Sequence, residues 1–106
     1  MKPITDGVKV EMWQLCCVKG VDRDTVWATL GRPHFTETDS HATYGGEEDW
    51  WAFELESGHK VALALRVPYE QAVLYASTRD PKVPQGAFAA MVVLGCLETY
   101  EYPVLA

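Results

Sequence analysis

Between Pro33 and His59 the chain has no lysine and no arginine, although seven of its fifteen acids fall there: Glu37, Asp39, Glu47, Glu48, Asp49, Glu54 and Glu56. That sign argues against a nucleic-acid partner, which needs a basic face, and the formal net charge of -6 argues the same way. Long apolar runs are scarce too. The longest, Ala87 to Leu97, is broken by Gly95 and is too short to span a bilayer. The opening MKPITDG lacks the apolar core of a secretory signal, so a soluble cytoplasmic protein with no membrane contact is the expectation. There are three cysteines, Cys16, Cys17 and Cys96, none at CxxC spacing. A bridge between the adjacent pair would strain the peptide joining them, so reduced thiols are expected rather than a disulfide framework.

Catalytic signatures are missing as well. The chain has no GxGxxG, no phosphate loop and no HExxH, and no Ser or Cys carries a nucleophile motif. Glu47, Glu48 and Asp49 follow Gly45-Gly46, a hydrophilic setting in which acid/base chemistry would lack the one desolvated carboxyl it needs. The expectation is therefore no enzyme and no cofactor. His34 and His41, with Glu37 and Asp39 between them, offer nitrogen and oxygen ligands at irregular spacing. No metal is assigned to them, and the sequence leaves that point open.

What is present fits one domain spanning residues 1–106, long enough to bury a core without staples. The segment from Val21 reads as a helix: Asp22 caps it, Val21 packs on Val26, Trp27 and Leu30 continue the apolar face, and Gly31 with Pro33 stops it. Ahead of it, Thr5 to Lys19 is read as a helix with Met12, Leu15 and Cys16 inward, although Val8, Val10 and Met12 also alternate like a strand. Short strands near His34–Phe35 and Ala42–Tyr44 would extend the sheet.

The middle reads as a β-hairpin. Trp51, Phe53 and Leu55 share one face, and Val61, Leu63, Leu65 and Val67 share another. A three-residue loop, Ser57-Gly58-His59, would pair Leu55 with Val61, Phe53 with Leu63 and Trp51 with Leu65, keeping the apolar faces together. It would set Glu56 opposite Lys60 and Trp50 opposite Arg66 on the outer face, with Trp50 stacked under the guanidinium. Pro68-Tyr69-Glu70 is read as a turn, Ala72 to Thr78 as a third strand and Arg79 to Pro84 as a loop. The apolar run from Gln85 to Tyr100 suits a buried helix, while Val92-Val93 and Gly95 leave a strand open. The fold class expected is α+β: N-terminal helices, then an antiparallel β-meander, with a C-terminal helix packed on the sheet.

The stretch GGEEDWW then reads as a docking surface. An outward Trp50 beside three carboxylates, with Tyr44 across the loop and Glu37 and Asp39 nearby, combines an aromatic anchor with acids that steer a basic partner. The candidate partner-binding residues are Tyr44, Glu47, Glu48, Asp49, Trp50, Glu37 and Asp39.

The capped helix ending Leu30-Gly31-Arg32-Pro33, followed by the Trp51–Leu55 and Val61–Val67 hairpin, resembles the small acidic immunity proteins of bacterial polymorphic toxin systems, of the contact-dependent inhibition and type VI secretion kinds. The resemblance covers roughly residues 5 to 67. It implies a non-enzymatic inhibitor that binds one cognate toxin in the cytoplasm, and it carries over no binding residue. The other reading is a small-molecule-binding or accessory domain with a pocket between the sheet and the C-terminal helix.

Overall fold

The computed structural model of the chain describes residues 2–5, 12–19, 23–38, 47–67, 71–89 and 98–101. They form β1 (Lys2–Ile4), β2 (Trp13–Lys19), α1 (Arg23–Leu30), β3 (Phe35–Thr38), β4 (Glu47–Glu54), β5 (Lys60–Val67), β6 (Gln71–Ala76), α2 (Lys82–Ala87) and β7 (Glu98–Glu101). The seven strands make one antiparallel sheet in the order β1-β4-β5-β6-β2-β7, with β3 also paired to β4. The fold is α+β, as the sequence suggests, but its helices are placed differently from the expectation.

The helix expected over Thr5 to Lys19 is overturned where it can be seen, because Trp13–Lys19 is strand β2. It pairs with β6 on one side and β7 on the other, so both edges of its backbone are satisfied by partners far away in sequence. Two such ladders outweigh the local helical pattern. A bulge between Gln14 and Cys16 adjusts its register against β6. Residues 6–11 lie outside the described set. Among the described residues one helix, α1, precedes the meander, and it sits between β2 and β3.

The expected stop of α1 is present. Gly31 adopts φ 80°, a left-handed conformation that suits glycine, and its N–H donates to the Trp27 carbonyl at 2.8 Å. Val26 is fully buried, with Trp27 and Leu30 packed on the same core. The Asp22 cap and the Val21 staple fall outside the described residues.

The hairpin keeps its predicted faces but slips by two residues. Phe53 lies opposite Val61, Trp51 opposite Leu63 and Trp50 opposite Ala64; Glu54 faces Lys60, and Glu48 faces Arg66. The Leu55 N–H donates to the His59 carbonyl at 2.8 Å, and the Gly58 N–H donates to the Leu55 carbonyl at 2.9 Å. The loop thus has three residues, as expected, but they are Glu56, Ser57 and Gly58. Glycine at φ 88° takes the third loop position, where a left-handed residue closes such a turn. Moving a loop by one residue moves the register by two and leaves every side chain on its own face.

β6 (Gln71–Ala76) overlaps the strand expected at Ala72 to Thr78, and β3 (Phe35–Thr38) begins where the one expected near His34–Phe35 ends. α2 begins at Lys82, inside the expected loop, with the Lys82 N–H donating to Asp80 Oδ1 at 3.0 Å. Pro84 and Phe88 are buried, and Val83, Ala87 and Phe88 pack on the sheet. Residues 90–97 lie outside the described set, as do the strand at 42–44 and the turn at 68–70. Glu98–Glu101 is strand β7, so the end of the run expected as a helix, Glu98 to Tyr100, is strand instead, held by its ladder with β2.

Both faces of the sheet are buried. On one, Leu15, Trp51, Val61, Leu63, Leu65 and Leu74 meet Val26 of α1 and Phe88, which follows α2. On the other, Trp50 lies among Ala52, Ala62 and Ala64, with Ile4, Met12, Phe35 and Tyr75 around them. This is why Val61 through Leu65 are buried without alternation.

Candidate functional site

The GGEEDWW stretch is strand rather than loop from Glu47 onward, and this changes what its residues can do. Trp51 points into the helix-covered core, as expected, and its indole N–H donates to the Gly31 carbonyl at 3.1 Å, tying β4 to the end of α1. Trp50 does face the opposite side, but the expectation that it is exposed is overturned: its relative exposure is 0%. Its ring stacks on Phe35 at 5.6 Å with 13° between the planes and lies 4.8 Å from Tyr75. Its indole Nε1 is buried without a hydrogen-bond acceptor. The three alanines beside it leave room for the ring. Trp50 is thus packing, not an anchor presented to solvent.

Two of the three acids are buried as well, Glu48 at 5% and Asp49 at 6% relative exposure. Each meets a cation of the chain. Arg66, directly opposite Glu48, places Nε 3.3 Å from Glu48 Oε2. The expected Arg66–Trp50 stack is therefore replaced by an ion pair, a direct result of the two-residue slip. Asp49 projects to the other face, where Trp27 Nε1 donates to its Oδ2 at 3.4 Å and Arg23 Nε lies at 3.7 Å. Arg23 also stacks over the Trp27 ring at 5.0 Å. Within one strand, consecutive carboxylates are neutralised on opposite faces by arginines from different elements.

The remaining acids on this strand and its loop, Glu47, Glu54 and Glu56, are exposed. Glu37 lies on β3 opposite Glu48 and is half-buried. Tyr44 and Asp39 lie outside the described residues. The structure therefore brings Glu37, Glu47, Glu48 and Asp49 together around paired β3 and β4. Glu54, Glu56 and Leu55 line, with Lys2, an open depression of about 380 Å³ at the other end of β4.

His34 has a structural task that its sequence context did not reveal. Its Nδ1 lies 3.0 Å from the Ala52 nitrogen and 2.8 Å from the Ala52 oxygen, and its ring meets Phe53 edge-on at 4.8 Å. It fills the edge of β4 between β3 and β1. Among the described residues no group of three or more His, Cys, Asp or Glu is placed to hold a metal ion, and no helix is long and apolar enough to cross a membrane.

The class this geometry defines is an α+β domain on a seven-stranded antiparallel sheet, with an acid-rich strand pair at one edge. Comparisons with protein families, curated proteins and solved structures gave no match.

Proposed function

We propose that this chain is a non-enzymatic binding protein that neutralises a cognate bacterial toxin in the cytoplasm by covering a basic surface on it. The observation that carries the reading is the division of labour among the acids of β4. Glu48 and Asp49 are matched by Arg66 and Arg23, while Glu47, Glu54 and Glu56 project to solvent from the same strand and its loop. Exposed like charges along one strand steer a basic partner and speed its capture. The resemblance of the 5–67 segment to immunity proteins supplies the kind of partner. Buried carboxylates that each face a guanidinium are suited to holding a fold, not to passing protons, which supports a role without catalysis. In the alternative, a small molecule would sit between the sheet and the C-terminal helix; residues 90–97 of that expected helix lie outside the described set, and among the described residues Val83 and Phe88 pack directly on the sheet.

The test is capture from a bacterial lysate on the immobilised chain, followed by production of the captured protein in a bacterial host with and without this chain. The expected result is a growth defect that the chain relieves, and that a Glu47→Lys, Glu54→Lys, Glu56→Lys triple variant relieves poorly. A captured protein that is harmless to the host, or relief unaffected by the triple variant, would overturn the reading.

A further inference from the structure

β3 stands off the main path of the sheet, and among the described residues its ladder is with β4 alone. The direction of its outer backbone groups can be worked out. The Trp50 carbonyl accepts the His34 N–H at 2.7 Å, and both backbone groups of Ala52 lie within 3.0 Å of His34 Nδ1. Even-numbered residues of β4 thus turn their N–H and C=O toward β3. Antiparallel alternation then aims the backbone groups of their partners, Phe35 and Glu37, inward, and those of Thr36 and Thr38 outward. The side chains of Thr36 and Thr38 are exposed, leaving the approach open.

Acids border that edge on both faces. Glu37 is paired with Glu48 on one face; Thr36 and Thr38 are paired with Asp49 and Glu47 on the other. Among the described residues Glu48 and Asp49 are matched by Arg66 and Arg23, while Glu47 is exposed to solvent. A second copy of this chain pairing edge to edge would bring two such acidic borders together, and like charges across a strand pair are destabilising. A strand carrying Lys or Arg at alternate positions meets carboxylates instead, while its backbone completes the hydrogen bonds of Thr36 and Thr38.

We propose that the outer edge of β3 takes up an extended, basic segment of the partner as an added strand. This rests on the reading of the chain as a binder of a basic partner and supplies the way it binds.

The experiment uses the whole chain, labelled for NMR, and the synthetic peptide Ac-Thr-Lys-Thr-Lys-Thr-Lys-Thr-NH2 as the probe. At a free peptide concentration about ten times Kd, the Thr36 and Thr38 amides are expected to exchange about tenfold more slowly than without it. The same peptide with Glu for Lys should give no protection, and Glu47→Lys, a change at an exposed position, should weaken binding. Thr36→Pro removes an outward N–H that the β4 ladder does not use, so it should abolish protection at Thr38 while the protein stays folded. Should that variant unfold, the charge-reversed peptide and Glu47→Lys still decide the matter. Shifts confined to Glu54–Glu56, equal binding of the Glu peptide, or protection of these amides by self-association without peptide would each overturn the proposal. A toxin still bound by folded Thr36→Pro protein would remove this mode and leave the proposed function intact. A Lys peptide bound at β3 with no toxin relieved would remove the function and leave the edge.

Discussion

The two faces of the sheet solve the same problem with different materials. On the helix-covered face, Trp51 of β4 shares the burial with aliphatic side chains of β5 and β6, Val61, Leu63, Leu65 and Leu74, and with Leu15, Val26 and Phe88. On the other, one very large ring, Trp50, is set among Ala52, Ala62 and Ala64 and closed over by Phe35 and Tyr75. The first face distributes its burial over many contacts. The second concentrates it in one side chain whose neighbours must stay small. A core of the first kind repacks after a change, whereas one of the second kind is brittle toward both loss and gain of volume.

The sharpest way to break this comparison is to truncate each tryptophan. Trp51→Ala and Trp50→Ala should each cost about 3–5 kcal/mol in urea unfolding, because both rings are fully buried. An exposed Trp50 would lose far less, so a small loss at Trp50 would refute the two-sided core. Next in size is the ion pair on the Trp50 face. Arg66→Ala leaves the Glu48 carboxylate buried without its cation and should cost about 2–3 kcal/mol, below the usual figure for a fully buried pair because the guanidinium is one-quarter exposed. Arg23→Ala, on the other face, removes a cation that is half-exposed and 3.7 Å from Asp49, and should cost under about 1 kcal/mol. A gain of volume separates the materials: Ala64→Leu, directly opposite Trp50, should destabilise by about 1–3 kcal/mol through overpacking, more than the loss of the Arg23 cation. If it is neutral, the Trp50 face has slack and the contrast fails.

Local physics was legible in the sequence; the second face was not. Gly31 and Pro33 mark the end of α1 because a left-handed turn needs glycine, whatever surrounds it. The side-chain parity of β4 and β5 follows from period-two geometry, so Trp50 and Trp51 were assigned correctly to opposite faces. The loop length was legible too, but not which loop position Gly58 occupies, and that single step moved Arg66 from Trp50 to Glu48. The burial of Trp50 carried a signal that went unused: in a one-sided sheet Ala52, Ala62 and Ala64 would be polar, and three alanines facing one tryptophan mark a second core. β2 was missed because its pairing partners, β6 and β7, lie far along the chain and leave no local trace. The acidic site was legible as composition. The split between matched and exposed acids depended on register and on α1, neither of which charge counting contains.

The strand order also sets a timetable. β4, β5 and β6 are neighbours in both sequence and sheet, so this meander can zip up through short loops as soon as its residues exist. β2 must instead close a loop of more than fifty residues to reach β6, and only then can β7 join it. The half of the sheet that carries the acidic strand pair is therefore expected to assemble first. The half built on β2 arrives late, and its assembly sets the pace at which the whole domain folds.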